Sequence, residues 1–151
     1  MKDIPFTKKG YETLKKKLLL LNSKRPEAVK TLTRAREMGD LSENGLYKAA
    51  RFELSDIDRQ TRHLNYLLKY AKIYNPSGNS IIQIGSKVTL EQNGKKRVFT
   101  ITGEYEANPN DGKISYKSPL GKNLLNKKLN SFVEIITQGK KTTYAIDRIS
   151  K

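Results

Sequence analysis

Two apolar stripes with alternating three- and four-residue steps run through the first half of the chain. One passes through Tyr11, Leu14, Leu18, Leu21, Arg25, Ala28, Leu32 and Ala35; the other through Tyr47, Ala50, Leu54, Ile57, Thr61, Leu64, Leu68 and Ala71. This is the heptad spacing of helices that pair along a narrow seam. Neither helix can bury its stripe alone, and only about eight residues, Gly39 to Leu46, separate them, a length that joins antiparallel neighbours. The sequence therefore predicts an antiparallel coiled-coil hairpin over residues 1–75, with Leu14 and Leu18 beside Leu64 and Leu68. At about 1.5 Å rise per residue, arms of roughly 30 residues carry the turn on the order of 45 Å from the base. Thr7 is placed to cap the first helix. Pro26 falls inside the first stripe, where it lacks an amide hydrogen and crowds the preceding turn, so a kink or short break is expected near Asn22 to Arg25.

The turn between the stripes is chemically unlike its surroundings. Glu37, Asp40 and Glu43 lie within seven residues that contain no basic side chain, in a chain of formal net charge +15. Carboxylates crowded at a chain reversal repel one another and add little to helix pairing, which suits them to a cation or a cationic partner. An ordinary solvated acidic turn has the same composition, and spacing leaves both readings open. Composition narrows the choice of cation. With no Cys and a single His, His63, the chain cannot build a thiolate site, a protein-only zinc site or a Ser/His triad, so any metal must be held by oxygen.

Only 36% of the residues are hydrophobic, so a single large core is not expected. The N-terminus, Met1-Lys2-Asp3-Ile4-Pro5, has no apolar signal core, and the Leu18 to Leu21 run is too short to cross a bilayer, which points to a soluble, cytoplasmic protein with no membrane partner. Residues 1–75 carry 17 Lys and Arg against 9 Asp and Glu, and the remainder 13 against 6. The excess is thus spread over both halves, fitting contact with nucleic acid or an acidic protein surface, and equally a solubilising surface.

From Asn75 the period changes. Asn75-Pro76-Ser77-Gly78-Asn79-Ser80 opens a linker assigned to 76–85, and a small α+β domain follows over 86–151. Ser86 to Gln92 and Arg97 to Gly103 flank Asn93-Gly94, a hairpin signal. Lys113 to Lys117, Phe132 to Thr137 and Thr142 to Ile149 supply three further strands. Ser118-Pro119 offers an N-cap followed by proline at the first helical position, opening a short helix through Leu120, Leu124 and Leu125. The alternating Val88, Leu90, Ile114, Tyr116, Val133, Ile135, Tyr144 and Ile146 read as core, and nothing in this half points to catalysis.

One set of residues resembles a known family. Arg25-Pro26, Ala35-Arg36-Glu37, Gly39-Asp40-Leu41, Glu43-Asn44, Tyr47 and Ala49-Ala50-Arg51, then far downstream Ser118-Pro119-Leu120-Gly121-Lys122 and Leu124-Leu125, resemble the bacterial Gre transcript cleavage factors, GreA and GreB, along essentially the whole chain. The resemblance implies an α+β protein in which the coiled coil enters the secondary channel of bacterial RNA polymerase and an FKBP-like domain docks at the channel rim through Ser118, Pro119 and Leu120. It implies that Asp40 and Glu43 complete the site of a second Mg²⁺, shared with the polymerase and not held stably by the free protein, at the nascent RNA 3′ end. Asn44 and Tyr47 match tip positions that contact polymerase or RNA, although Tyr47 also fits the heptad seam. The factor would stimulate the polymerase's own cleavage of backtracked RNA as a monomer, without being an enzyme itself.

The chain departs from the family where Glu43-Asn44 is followed by Gly45-Leu46-Tyr47 in place of Ala-Glu-Tyr, removing one acidic side chain and lowering helix propensity at that point. Its positive charge resembles the basic patch of GreB. Arg34, Arg51 and Arg59, with Lys24, Arg25, Lys30, Lys48 and Arg62, would then face the extruded RNA, the alternative being a solvated helix surface. Two other readings are a channel-binding regulator without cleavage activity, which the retained Asp40 and Glu43 argue against, and a peptidyl-prolyl isomerase. The latter needs an aromatic-lined pocket, and the only Phe residues beyond the linker are Phe99 and Phe132.

Overall fold

The computed structural model describes residues 2–39 and 44–151, which divide into two compact units. One is Glu12–Tyr70; the other joins Ala71–Lys151 to the N-terminal residues through Tyr11.

The first unit is the helical hairpin. Helix α1 spans Lys8–Arg36 and α2 spans Gly45–Tyr70. All the stripe residues except Arg25 are buried or half-buried. Leu21, Ala28, Ile57 and Leu64 form a cluster against which Leu14, Leu18 and Leu54 pack, so the helices meet along the heptad seam in antiparallel order. Arg25, the exception, forks onto Asp58 of the facing helix, with Nε donating to Oδ1 at 2.8 Å and Nη2 to Oδ2 at 3.3 Å. The break expected near Asn22 to Arg25 does not occur, and α1 runs without interruption through Pro26. Asn22 and Pro26 are exposed, so the carbonyl that proline leaves without a donor faces water. Buried Leu21 and Ala28, with the Arg25–Asp58 fork between them, hold α1 to its partner across the site.

The second unit begins with a strand pair not foreseen from the sequence. Strand β1, Ile4–Thr7, runs parallel to β2, Ala71–Tyr74, with Ile4 opposite Ala71 and Thr7 opposite Tyr74. Parallel neighbours need a long crossover, and here the crossover is the whole hairpin. Glu106 fastens this pair to the rest of the unit. Its carboxylate accepts from the Thr7 N–H at 2.8 Å, from the Gly103 N–H at 3.1 Å, and from the Thr7 hydroxyl. The same hydroxyl oxygen accepts from the Gly10 N–H at 3.0 Å, making Thr7 the cap of α1 as expected. Fully buried Phe6 stacks on Tyr105 with centroids 6.4 Å apart.

Five strands form the main sheet: β3 Lys87–Gln92, β4 Lys95–Thr102, β5 Lys113–Ser115, β6 Phe132–Thr137 and β7 Lys140–Ser150, in the order β5-β4-β3-β7-β6. All pairs are antiparallel except β4 with β5. Gln92 pairs with Lys95, so Asn93-Gly94 is a two-residue turn with φ of 52° and 78°, the left-handed geometry that this dipeptide favours. Helix α3, Pro119–Leu124, contributes Leu124 to a core built from Val88, Leu90, Ile101, Ile114, Val133 and Ile146, against which Leu120, Tyr116 and Tyr144 pack. The stretch assigned to the linker is docked on this core: Ile82 is fully buried, donates to the Lys127 carbonyl at 3.0 Å and accepts from the Asn126 N–H at 2.9 Å.

Candidate functional site

Asp40 and Glu43 lie outside the described residues, so the site is defined by the groups that hold the chain on either side of them. On the incoming side α1 ends at Arg36, and the chain leaves it through Gly39 at φ +114°, backbone that a side chain would strain. Basic Arg34 and Arg36 occupy the last turn, where they complement the negative end of the helix dipole. On the outgoing side Asn44 does two jobs. Its Oδ1 accepts from the Tyr47 N–H at 3.1 Å, capping α2, while its Nδ2 donates at 2.9 Å to the last-turn carbonyl of Ala35 in α1, which also accepts from the Met38 N–H at 3.3 Å. One amide therefore caps a helix start and bonds to a helix end, and fixes the two ends of the acidic turn to each other.

Tyr47 is half-buried beside the seam, with the Arg36 guanidinium 5.9 Å from its ring centroid. Its position supports the seam reading. The double role of Asn44 was missed from the sequence, although Asn directly before a helical stripe is a cap signal. Ala35 and Ala50 are buried here, and their small side chains suit close approach of the helices near the turn.

The three arginines assigned to RNA contact are distributed over both helices of the hairpin. Arg34 and Arg51 project from different helices, and Arg59 lies two helical turns along α2 from Arg51. Arg34 pairs with Glu27 on its own helix at 3.9 Å, and Arg59 with Asp56 on its own helix, all at the surface. Such pairs hold little energy. Across the hairpin, Arg25 holds the Asp58 carboxyl below its ordinary value by hydrogen bonding and, further, by charge, and its own pKa is raised by the same contact.

In the second unit, Ser118 caps α3: its Oγ accepts from the Gly121 N–H at 3.1 Å and donates to the Ser115 carbonyl at 2.7 Å. Pro119 is exposed at the first helical position and Leu120 packs half-buried on the core. Gly121 is required by close approach, since a Cβ there would lie 2.0 Å from the Ser115 oxygen. The adjacent Lys117 pairs with Glu104 at 3.1 Å, which raises the lysine pKa chiefly through the hydrogen bond. Phe99 is buried in the core and Phe132 is 70% exposed, so neither lines an aromatic pocket of the kind an isomerase needs. Among the described residues no group of three or more His, Cys, Asp or Glu could hold a metal, and no helix is long and apolar enough to cross a membrane.

Comparison with known proteins divides the chain in two. A family model described as Transcription elongation factor, N-terminal, matches residues 4–73, and one described as Transcription elongation factor, GreA/GreB, C-term, matches residues 77–151. Transcription elongation factor GreA of Nautilia profundicola is 41% identical over 150 residues, covering 96% of this chain and 93% of that protein. The GreA of Staphylococcus carnosus is 38% identical over 138 residues, covering 89% and 86%. The solved structure of GreA factor homolog 1 (Gfh1) of Thermus thermophilus is 28% identical and covers 99% of this chain and 100% of that one at a TM-score of 0.47, a superposition too loose to bear on function.

Proposed function

The chain belongs to the GreA/GreB family of transcription elongation factors, and from that membership we propose that it rescues backtracked bacterial RNA polymerase by carrying its Asp40–Glu43 turn through the secondary channel and promoting cleavage of the displaced RNA 3′ end. In this reading the protein is a monomeric, cytoplasmic factor that stimulates a reaction of the polymerase, with the polymerase and the nascent RNA 3′ end as its partners.

The observation that carries the reading is the Asn44 bridge. A turn that must present two carboxylates to a reacting phosphodiester needs fixed ends, and Asn44 links the start of α2 to the Ala35 carbonyl at 2.9 Å. Asp40 and Glu43 are hard oxygen donors, the chemistry that Mg²⁺ selects, and two carboxylates leave most of an octahedral shell to ligands from elsewhere. The donor set thus fits an ion shared with a partner. When bound, Mg²⁺ supplies charge stabilisation to phosphodiester hydrolysis; the chain's own residues supply the carboxylates and hold them at the end of the hairpin.

Pro119, exposed and fixed by the Ser118 cap with Leu120 anchored beneath, is the part of α3 proposed to touch polymerase. Arg34, Arg51 and Arg59 are proposed to meet the RNA backbone, the first and last by exchanging weak same-helix pairs for phosphate. The test is addition of the purified protein to a backtracked polymerase complex in Mg²⁺ buffer, scoring RNA length. Shortening from the 3′ end, lost on chelation, is the expected result. Competition for the channel with no shortening would overturn cleavage in favour of a silent channel-binding regulator.

A further inference from the structure

The core face of the five-stranded sheet carries apolar residues until it reaches the β3–β4 turn, where its character changes. Leu90 pairs with Arg97 and Gln92 with Lys95, and cross-strand partners point to the same face. Leu90 is buried in the core, so Arg97 and Lys95 share its face instead of the outer one. Together with Asn93 and Tyr144 these residues line a cavity of about 320 Å³. Its floor is apolar Leu90, one wall is an aromatic ring, and its lining includes two cations and no carboxylate.

Among the described residues, no carboxylate of the unit is paired with either cation. Lys96, on the opposite face, pairs with Asp147 at 3.2 Å; Lys117 and Lys141 in the same unit pair with Glu104 and Glu134. Among the described residues neither Lys95 nor Arg97 has an ion pair, and Arg97 is held instead over the Phe99 ring at 5.1 Å from its centroid. A guanidinium fixed by a ring is pre-organised to receive an anion without further loss of side-chain freedom. Residues 95 and 97 are two apart on one strand, about 7 Å between Cα atoms, close enough for their long side chains to converge on one group.

We infer that this cavity is a binding site for a small phosphate monoester carrying an apolar or aromatic body. The two cations match the charge of a phosphate monoester at neutral pH, about −1.5 to −2, better than the single charge of a carboxylate. Leu90 and Tyr144 offer the body an apolar floor and a ring to lie against, and the Gln92 and Asn93 amides add donors at the rim. The volume, at the small end of ligand pockets, suits one ring and its head group.

The test uses the full-length ¹⁵N-labelled protein, followed by amide shifts on titration with phenyl phosphate, inorganic phosphate and benzoate. Phenyl phosphate should move Gln92, Asn93, Lys95, Arg97 and Tyr144 together, at least 10-fold tighter than either other probe. Arg97→Gln with Lys95→Gln should weaken it at least 10-fold while leaving the dispersed spectrum of the fold intact, as expected for exposed side chains. Equal affinity for phenyl phosphate and inorganic phosphate, shifts scattered over all basic surfaces, or unchanged binding by the double variant would each overturn the proposal. The readout is independent of polymerase, so it stands or falls apart from the cleavage reading.

Discussion

In the hairpin, Leu21, Ala28, Ile57 and Leu64 meet along a single line between two helices; in the sheet unit, eleven buried residues from six elements and the Ile82 segment meet in one three-dimensional cluster, counted among the described residues. A residue in the seam has partners on its flanks and water close by, whereas one in the cluster is enclosed. The difference suits the two parts to different work. A seam keeps two helices in register over a long distance with little apolar surface. The cluster fixes short elements such as α3 rigidly enough to present a single exposed proline.

Paired truncations should expose that difference. Leu124, fully buried in the cluster, leaves a cavity with no means of collapse when changed to Ala, and the expected loss is near the top of the range for such changes, about 5 kcal/mol. Leu64→Ala in the seam should cost about 2–3 kcal/mol, since the helices can close and water can reach the gap. Chemical denaturation of each variant checks both values, and equal losses would break the comparison.

Asn44→Ala probes the end of the seam. It removes the α2 cap and one of the two donors to the Ala35 carbonyl, which keeps the Met38 N–H, so a loss of about 1 kcal/mol is expected. Hydrogen exchange should place the loss in the last turn of α1 and the first of α2, with the sheet unit unaffected. Exchange that rises evenly over both units would show that Asn44 is not a local bridge.

The smallest effect concerns Arg25 and Asp58. The folded carboxyl titrates below its ordinary value of 3.8, so the pair adds stability above that value and the contribution fades as pH falls through the lower folded value. Thermal unfolding of wild type and Asp58→Asn should therefore differ slightly at neutral pH and converge under acid. A gap that persists or widens on acidification would contradict the assignment.

How much of this was legible in the sequence follows the same division. Heptad spacing reports a seam directly, so both stripes and their antiparallel pairing could be read, and alternation gave the strand faces of Val88, Leu90, Val133 and Ile146. Contacts between distant short segments leave no such period. Nothing local marks Ile4–Thr7 as the parallel partner of Ala71–Tyr74, or Glu106 as the group that ties Thr7 and Gly103 together. The family models divide the chain at 73 and 77, as the change of period at Asn75 does, yet the N-terminal strand is packed with the second unit. Pro26 misled because proline disrupts a helix through its own missing bond, and the seam contacts that hold the helix through it come from far along the chain, as with Asp58, 33 residues beyond Arg25. At the candidate site, the Ser118 cap was readable as a local signal. The Asn44 bridge to Ala35 was not, because half of it depends on the hairpin having formed.

The central claim is that Asp40 and Glu43 act in RNA cleavage while taking no part in holding the hairpin together. Its most direct test is the Asp40→Asn, Glu43→Gln double variant on a backtracked polymerase complex, with RNA shortening and competition for polymerase measured on the same preparation. The account expects shortening to fall at least 100-fold while the competing concentration stays within about 3-fold of wild type, a binding change under about 0.7 kcal/mol. Shortening at the wild-type rate would contradict it.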